Sequence, residues 1–157
     1  MAAIYSHRIN PSTGSLSEVP GFPFPGPGVP HVPQTLVVDP TGEFILSGGD
    51  SGLGGIYLRV INASTGALEN GLHYGSSGGT FTKQGLSWDP LGKFLYAAYP
   101  GGQSDVFAFT PPPSVNQIPR LERILGSPFN DTAHTFMVDP SGRYLIALVG
   151  CGLSCNG

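Results

Sequence analysis

One four-residue signature recurs at a fixed spacing. Asp39-Pro40-Thr41-Gly42, Asp89-Pro90-Leu91-Gly92 and Asp139-Pro140-Ser141-Gly142 place their aspartates 50 residues apart, and then 50 again. Each is followed by a charged residue and an aromatic: Glu43-Phe44, Lys93-Phe94 and Arg143-Tyr144. Without gaps, residues 34–46, 84–96 and 134–146 line up. The chemistry of the signature is that of a type I turn. Proline presets φ, the aspartate side chain bonds backbone amides, and glycine relaxes the exit. Each signature therefore predicts a strand before it and an antiparallel strand after it, at 34–39 and 43–48, within 84–98 and within 134–149.

Composition agrees with a chain made of strands and turns. The 157 residues include 24 Gly and 16 Pro, about a quarter of the chain where about 12% is usual. These are the two poorest helix residues, which excludes a mainly helical fold. Such a share also occurs in disordered chains, but 10% of these residues are aromatic. Strand-sized apolar runs alternate with the turn clusters: Leu36-Val37-Val38, Phe44-Ile45-Leu46, Phe94-Leu95-Tyr96 and Tyr144-Leu145-Ile146. The fold class is all-β. The run after each Asp-Pro-x-Gly turn is continuous rather than alternating, which predicts a strand buried on both faces.

A second recurrence sets the outer strands. Ile4-Tyr5 through Ile9-Asn10, then Pro11-Ser12-Thr13-Gly14-Ser15-Leu16, matches Ile56-Tyr57 through Ile61-Asn62, then Ala63-Ser64-Thr65-Gly66-Ala67-Leu68. The offset is 52. Val106-Phe107-Ala108-Phe109 keeps the strand, but its turn is replaced by Thr110-Pro111-Pro112-Pro113 and a longer link to Leu121. The order is inner strand a (34–39), b (43–48), c (55–61) and outer d (67–73). A period near 50 of short strands predicts a β-propeller with one four-stranded blade per period. The expectation for 1–157 is a single partial β-propeller. Strands c–d lie in 1–20, whole blades in 34–73 and 84–125, and an a–b pair in 134–149, about three blades in all. A ring typically needs about four to eight. The expected wedge is either a truncated gene product, completed by missing blades of the same chain, or a self-associating half-ring in which two wedges supply six blades.

The residues also carry a family likeness. Strand c with Asn62-Ala63-Ser64-Thr65-Gly66-Ala67-Leu68, the link Gly126-Ser127-Pro128-Phe129, and Val138-Asp139-Pro140-Ser141-Gly142-Arg143-Tyr144-Leu145 resemble the lactonase-family seven-bladed β-propellers, the 6-phosphogluconolactonase-like and YVTN-type repeat proteins. The resemblance runs from Ile4 to Leu148 and rests on turn and core positions. It implies a seven-bladed ring and a sugar-lactone hydrolase. Two other propeller classes fail to recur. Trp88-Asp89 mimics a WD ending, but its counterparts are Val38-Asp39 and Val138-Asp139. Gly48-Gly49 mimics a kelch doublet, but its counterpart is Ala98-Tyr99.

In such an architecture the d–a and b–c connections open on the ligand face. His134 is in register with Gln34 and Gln84, and His31 lies close by, so the inner strands start on polar residues. As a site, these line the channel mouth and bind a lactone carbonyl, with His134 or His31 as general base; as scaffold, they satisfy strand ends and channel water. A metal site would need a third ligand that is not apparent. Asp50 and Asp105 flank b–c loops and are candidates for substrate hydroxyls or a hard cation, beside the commoner role of loop capping. Lys83 is the sole cation of the d–a links, while a phosphorylated sugar needs several charge-assisted donors. Cys151 and Cys155 are a local disulfide or two free thiols. Asn62-Ala63-Ser64 and Asn130-Asp131-Thr132 fit the glycosylation pattern.

Several classes are excluded. Seven Lys+Arg and a net charge of -3 cannot lay down a phosphate-tracking stripe, so no nucleic acid is expected. No apolar run nears the roughly 18 residues of a membrane span. No Ser elbow, Walker loop or paired-carboxylate motif is visible, and no cofactor is expected. No signal peptide is expected in this chain; its compartment is left open, with an extracytoplasmic or secreted setting slightly favoured. The candidate function is sugar-lactone hydrolysis at the channel mouth. The alternative is a non-catalytic propeller offering a rigid surface to proteins or glycans, the fragment alone being inactive.

Overall fold

A computed structural model describes residues 4–21, 23–24, 31–51, 55–74, 85–99, 103–113, 119–130 and 133–149, with backbone alone at His31, Val32, Asp50, Ser51, Asn70, Tyr99 and Asn130. The described residues are all-β, in antiparallel sheets without a helix. A first hairpin joins β1 (His7–Ile9) to β2 (Leu16–Glu18). A first sheet runs as a meander in chain order through β3 (His31–Val38), β4 (Phe44–Ser51), β5 (Ile56–Ile61) and β6 (Leu68–Tyr74). A second sheet takes β7 (Gly85–Trp88), β8 (Phe94–Tyr99), β9 (Gln103–Thr110) and β10 (Arg120–Arg123), with β11 (Phe129–Asn130) also on β9. A last hairpin joins β12 (Ala133–Val138) to β13 (Leu145–Val149).

The three Asp-Pro-x-Gly turns share one hydrogen-bond scheme. The amides of Gly42, Gly92 and Gly142 donate to the carbonyls of Asp39, Asp89 and Asp139 at 3.0, 2.9 and 2.9 Å, which closes each turn. The glycines take φ of +76°, +67° and +70°, the left-handed exit that the turn requires. Each aspartate then clamps the returning strand. Its Oδ1 accepts the amide five residues on, from Phe44 at 2.7 Å, Phe94 at 2.6 Å and Tyr144 at 2.7 Å. Its Oδ2 accepts from the residue after proline, Thr41 at 3.0 Å, Leu91 at 3.1 Å and Ser141 at 3.1 Å. The outer turns follow an equally local logic. Asn10 Oδ1 accepts from Ser12 and Thr13, and Asn62 Oδ1 accepts from Ser64 and Thr65.

Burial then stacks the sheets face to face. Phe44, Leu46, Ile56 and Leu58 of the first sheet share one core with Leu86, Trp88, Leu95, Ala97, Phe107 and Leu121 of the second. Leu46, Ile56, Leu58 and Leu95 are fully buried, each contributing about 1.5–3 kcal/mol. Phe109 meets Phe44 and Trp88 edge-on, with centroids 5.8 and 5.1 Å apart. A smaller core of Ala98, Ala133 and Phe136, edged by Tyr96, ties the second sheet to the last hairpin. There β7 and β12 approach closely. A Cβ on Gly85 would lie 2.6 Å from Thr135 Cα, and the Val138 amide donates to Ser87 Oγ at 3.1 Å. The turns stack as well. A Cβ on Gly92 would meet Pro40 Cδ at 3.3 Å, and one on Gly142 would meet Pro90 Cδ at 3.3 Å. The first hairpin leans on the first sheet: Val19 lies under Gly66, and Arg8 donates to the Ser64 carbonyl at 3.3 Å.

Three expectations change. The β3–β4 pairing runs past the predicted strand ends to His31↔Ser51, so Asp50 stands within β4 opposite Val32 rather than in a b–c loop. The outer strand of the second sheet is split. β10 pairs Arg123 with Phe107, β11 pairs Phe129 with Ser104, and Gly126-Ser127-Pro128 intervenes, where proline has no amide for the ladder. Finally, the continuous apolar run of β13 is exposed over its whole length, unlike β4, because no described element covers its outer face or pairs its second edge.

Two predictions test the turns. Gly42→Ala and Gly92→Ala both force a left-handed alanine, costing about 1–2 kcal/mol, but Gly42 has open space where Gly92 has Pro40. Urea titration should show the larger loss for Gly92→Ala, and equal losses would reject the stacked turns. The Asp139 carboxyl is held below the ordinary 3.8 by the Ser141 hydroxyl first, then by the Tyr144, Ser141 and Arg143 amides. Its contribution is therefore present above the unfolded value and lost as pH falls through the lower folded value. The Tyr144 amide resonance should titrate with a midpoint below 3.8; a midpoint at or above that value would contradict the clamp.

Candidate functional site

The first strands of the sheets converge. β7 packs against both β3 and β12. At the start of two of these strands the ladder slips. In β3, Pro33 pairs with Gly49 and Thr35 with Gly48, so Gln34 is an extra residue. In β12, Ala133 pairs with Val149 and Thr135 with Leu148, so His134 is an extra residue. A bulge leaves its residue outside the ladder and re-aims its side chain. Gln34 and His134 are both exposed. The two residues that the sequence aligns thus share one backbone irregularity, and both bring a polar group to solvent. The alignment singled out the pair, but the bulge itself was missed, since only pairing across the sheet reveals it.

Other candidates separate from this pair. His31 opens β3 opposite Ser51, with its side chain outside the described residues. The same holds for the Asp50 side chain, and Lys83, Gln84, Cys151 and Cys155 lie outside the described residues altogether. Among the described residues, no group of three or more His, Cys, Asp or Glu could hold a metal ion.

Asp105 is tied into the second sheet by its hydrogen bonds. It sits on β9 with 1% of its side chain exposed, facing the split in the outer strand. Arg123 donates to its Oδ2 at 2.8 Å, and Ser127 Oγ donates to its Oδ1 at 2.8 Å. Ser127 Oγ also accepts the Val106 amide at 3.1 Å. A carboxylate this buried needs such donors, and both its oxygens are engaged by the link at 123–127. Sequence reasoning had the Gly-Ser-Pro-Phe link in hand but not its purpose, because Ser127 and Asp105 are 22 residues apart. A second cross-sheet contact also escaped it. The Tyr74 hydroxyl at the end of β6 donates to the Pro119 carbonyl before β10, and burial pushes that phenol above its ordinary value. Around it lies an open groove of about 350 Å³ between Leu72, Tyr74, Pro119 and Leu121.

Comparison with protein-family models and with the curated proteins gives no match for this chain.

One prediction concerns the ion pair of the buried Asp105 carboxylate with Arg123, whose side chain is 33% exposed. Arg123→Ala leaves Asp105 buried without its cation, and a stability loss of about 3 kcal/mol is expected in urea unfolding. Adding Asp105→Asn should return part of that loss. No loss in the single variant would contradict a structural role for the pair.

Proposed function

We propose that the sheets are blades of a β-propeller of the lactonase-family kind, and that the starts of their inner strands form a rim that binds a hydroxyl-rich small molecule, a sugar or sugar lactone. The observation that carries this reading is the shared bulge at Gln34 and His134, which turns an amide and an imidazole to solvent where β3, β7 and β12 converge. Four features support the blade reading: the chain-order meander of the first sheet, the inter-sheet core, the stacked turns, and the 50-residue spacing of those turns. Gln34 offers a donor and an acceptor, and His134 two ring nitrogens, which suits vicinal hydroxyls or a lactone carbonyl.

Hydrolysis follows if water attacks the carbonyl while His134 takes one of its protons, and the acyl C–O ring bond then breaks as His134 returns that proton to the departing ring oxygen, leaving the open hydroxy acid. A second reading, a non-catalytic propeller that presents this rim to proteins or glycans, is favoured by Asp105. That carboxylate serves Arg123 and Ser127 instead of standing beside the imidazole.

Titration of the chain with D-glucono-1,5-lactone, followed by amide resonances, should move Gln34 and His134 first. No shift at either position would reject the rim. A pH-stat assay separates the two readings. Hydrolysis above the spontaneous rate, cut about 100-fold by His134→Gln, is the enzymatic outcome. Binding with no rate above the spontaneous one is the scaffold outcome.

A further inference from the structure

β7 departs from its two counterparts at two places, and both act on β12. Counting by 50 along the repeat, Gly85 stands where β3 has Thr35 and β12 has Thr135. Ser87 stands where they have Val37 and Met137. The ladder agrees with this alignment, because Gly85 pairs with Ala98 as Thr35 pairs with Gly48 and Thr135 with Leu148. Glycine weakens a strand and often marks a place where another backbone comes close. Gly85 is not among the glycines with positive φ, so no turn geometry asks for it. The demand is for room. A Cβ built there would lie 2.6 Å from Thr135 Cα, 2.9 Å from Thr135 Oγ1 and 3.1 Å from the His134 carbonyl oxygen. The first and last of these are backbone atoms, so no change of rotamer relieves the contact, and β12 itself would have to move.

β12 is not free to move as a unit. At its far end the Val138 amide donates to Ser87 Oγ at 3.1 Å, and Phe136 shares a small core with Ala98 and Tyr96. A push at Thr135 is therefore taken up beside it, at the slip where His134 already stands outside the pairing. A bulge is a place where the ladder is locally disrupted, and it aims the side chain it carries. His134 is exposed there, so the imidazole follows its backbone rather than a packed surrounding.

We infer, on the strength of the rim reading above, that Gly85 is a positioning residue of the rim: by leaving β12 room to lie against β7, it sets where the His134 imidazole stands. Gly85 offers a ligand no side chain, and its effect passes through β12. β7 packs against both β3 and β12. A side chain at Gly85 would therefore widen the span between Gln34 and His134, the two groups proposed to meet one sugar or lactone. Ser87 fastens the far end of β12 and leaves its start to Gly85. Groups that share a ligand must be held to a fraction of an ångström, which is what a glycine at the joint supplies.

Gly85→Ala is to be compared with Gly92→Ala, which sits in the turn between β7 and β8, at the opposite end of the same strands. Both variants lose stability, but only the first touches the joint with β12. Titration with D-glucono-1,5-lactone, followed by amide resonances, should give Gly85→Ala a dissociation constant raised about tenfold. Its His134 and Thr135 amides should be displaced before any lactone is added. Gly92→Ala should bind as the unmodified chain does. Equal weakening in both variants is a loss of stability alone and overturns the positioning role. Binding by Gly85→Ala equal to that of the unmodified chain overturns it too, and in both cases the rim reading stands. No shift at Gln34 or His134 in the unmodified chain overturns the rim, and the positioning role with it. Should Gly85→Ala fail to fold, the unmodified chain still decides. A strong Overhauser contact from the Gly85 α-protons to Thr135 is expected with and without lactone, and its absence from either state overturns the proposal.

Discussion

The carboxylate at the head of each Asp-Pro-x-Gly turn holds the returning strand by two routes, and the rest of the structure is arranged around that hold. With Oδ1 on the amide five residues on and Oδ2 on the residue after proline, the turn geometry leaves little choice of register for β4, β8 or β13. Register decides which side chains enter the inter-sheet core, because a slip of one residue turns every side chain to the opposite face. Leu46 and Leu95 are fully buried because Asp39 and Asp89 hold the strands that carry them. The same turns then serve a second purpose, since their prolines and glycines stack from one sheet to the next.

Between the sheets the dominant contribution is apolar burial, with a few polar groups held inside it. Asp105 is tolerated because Arg123 and Ser127 satisfy both oxygens. The Trp88 indole N–H is buried with no acceptor among the described residues. An unpaired group of that kind costs about 1–3 kcal/mol, so Trp88 is held for the volume and edge it gives Phe109. Val38 and Val138 occupy the matching places, one about half exposed at 48%. The large residue stands in the central sheet, where neighbours lie on both sides.

The proposed rim and the bare face of β13 belong to different parts of the same regularity. The rim uses the starts of inner strands, where a bulge frees one polar side chain from the ladder. A strand edge without a partner among the described residues, beside an exposed apolar face, is a liability in water. β13 displays both, with Lys, Pro and bulges, the usual protections of an edge, absent from Leu145 to Val149 except for the slip at His134.

Much of this fold was legible in the residues because its determinants are local. Asp39, Pro40 and Gly42 make their turn with atoms at most five residues away, and Asn62 does the same for the outer turn. Local chemistry of that kind, used three times at one spacing, settles all-β character, strand order and turn positions without any knowledge of the tertiary fold. What it leaves undecided depends on partners far along the chain. Asp105 reads as a loop residue until Ser127 and Arg123 arrive, Asp50 until β3 is extended to meet it, and His134 as an ordinary strand residue until β13 slips beside it. The apolar run of β13 reads like that of β4, yet one is bare and the other buried. Whether a hydrophobic strand is covered is a property of what packs on it, and that only the tertiary structure decides.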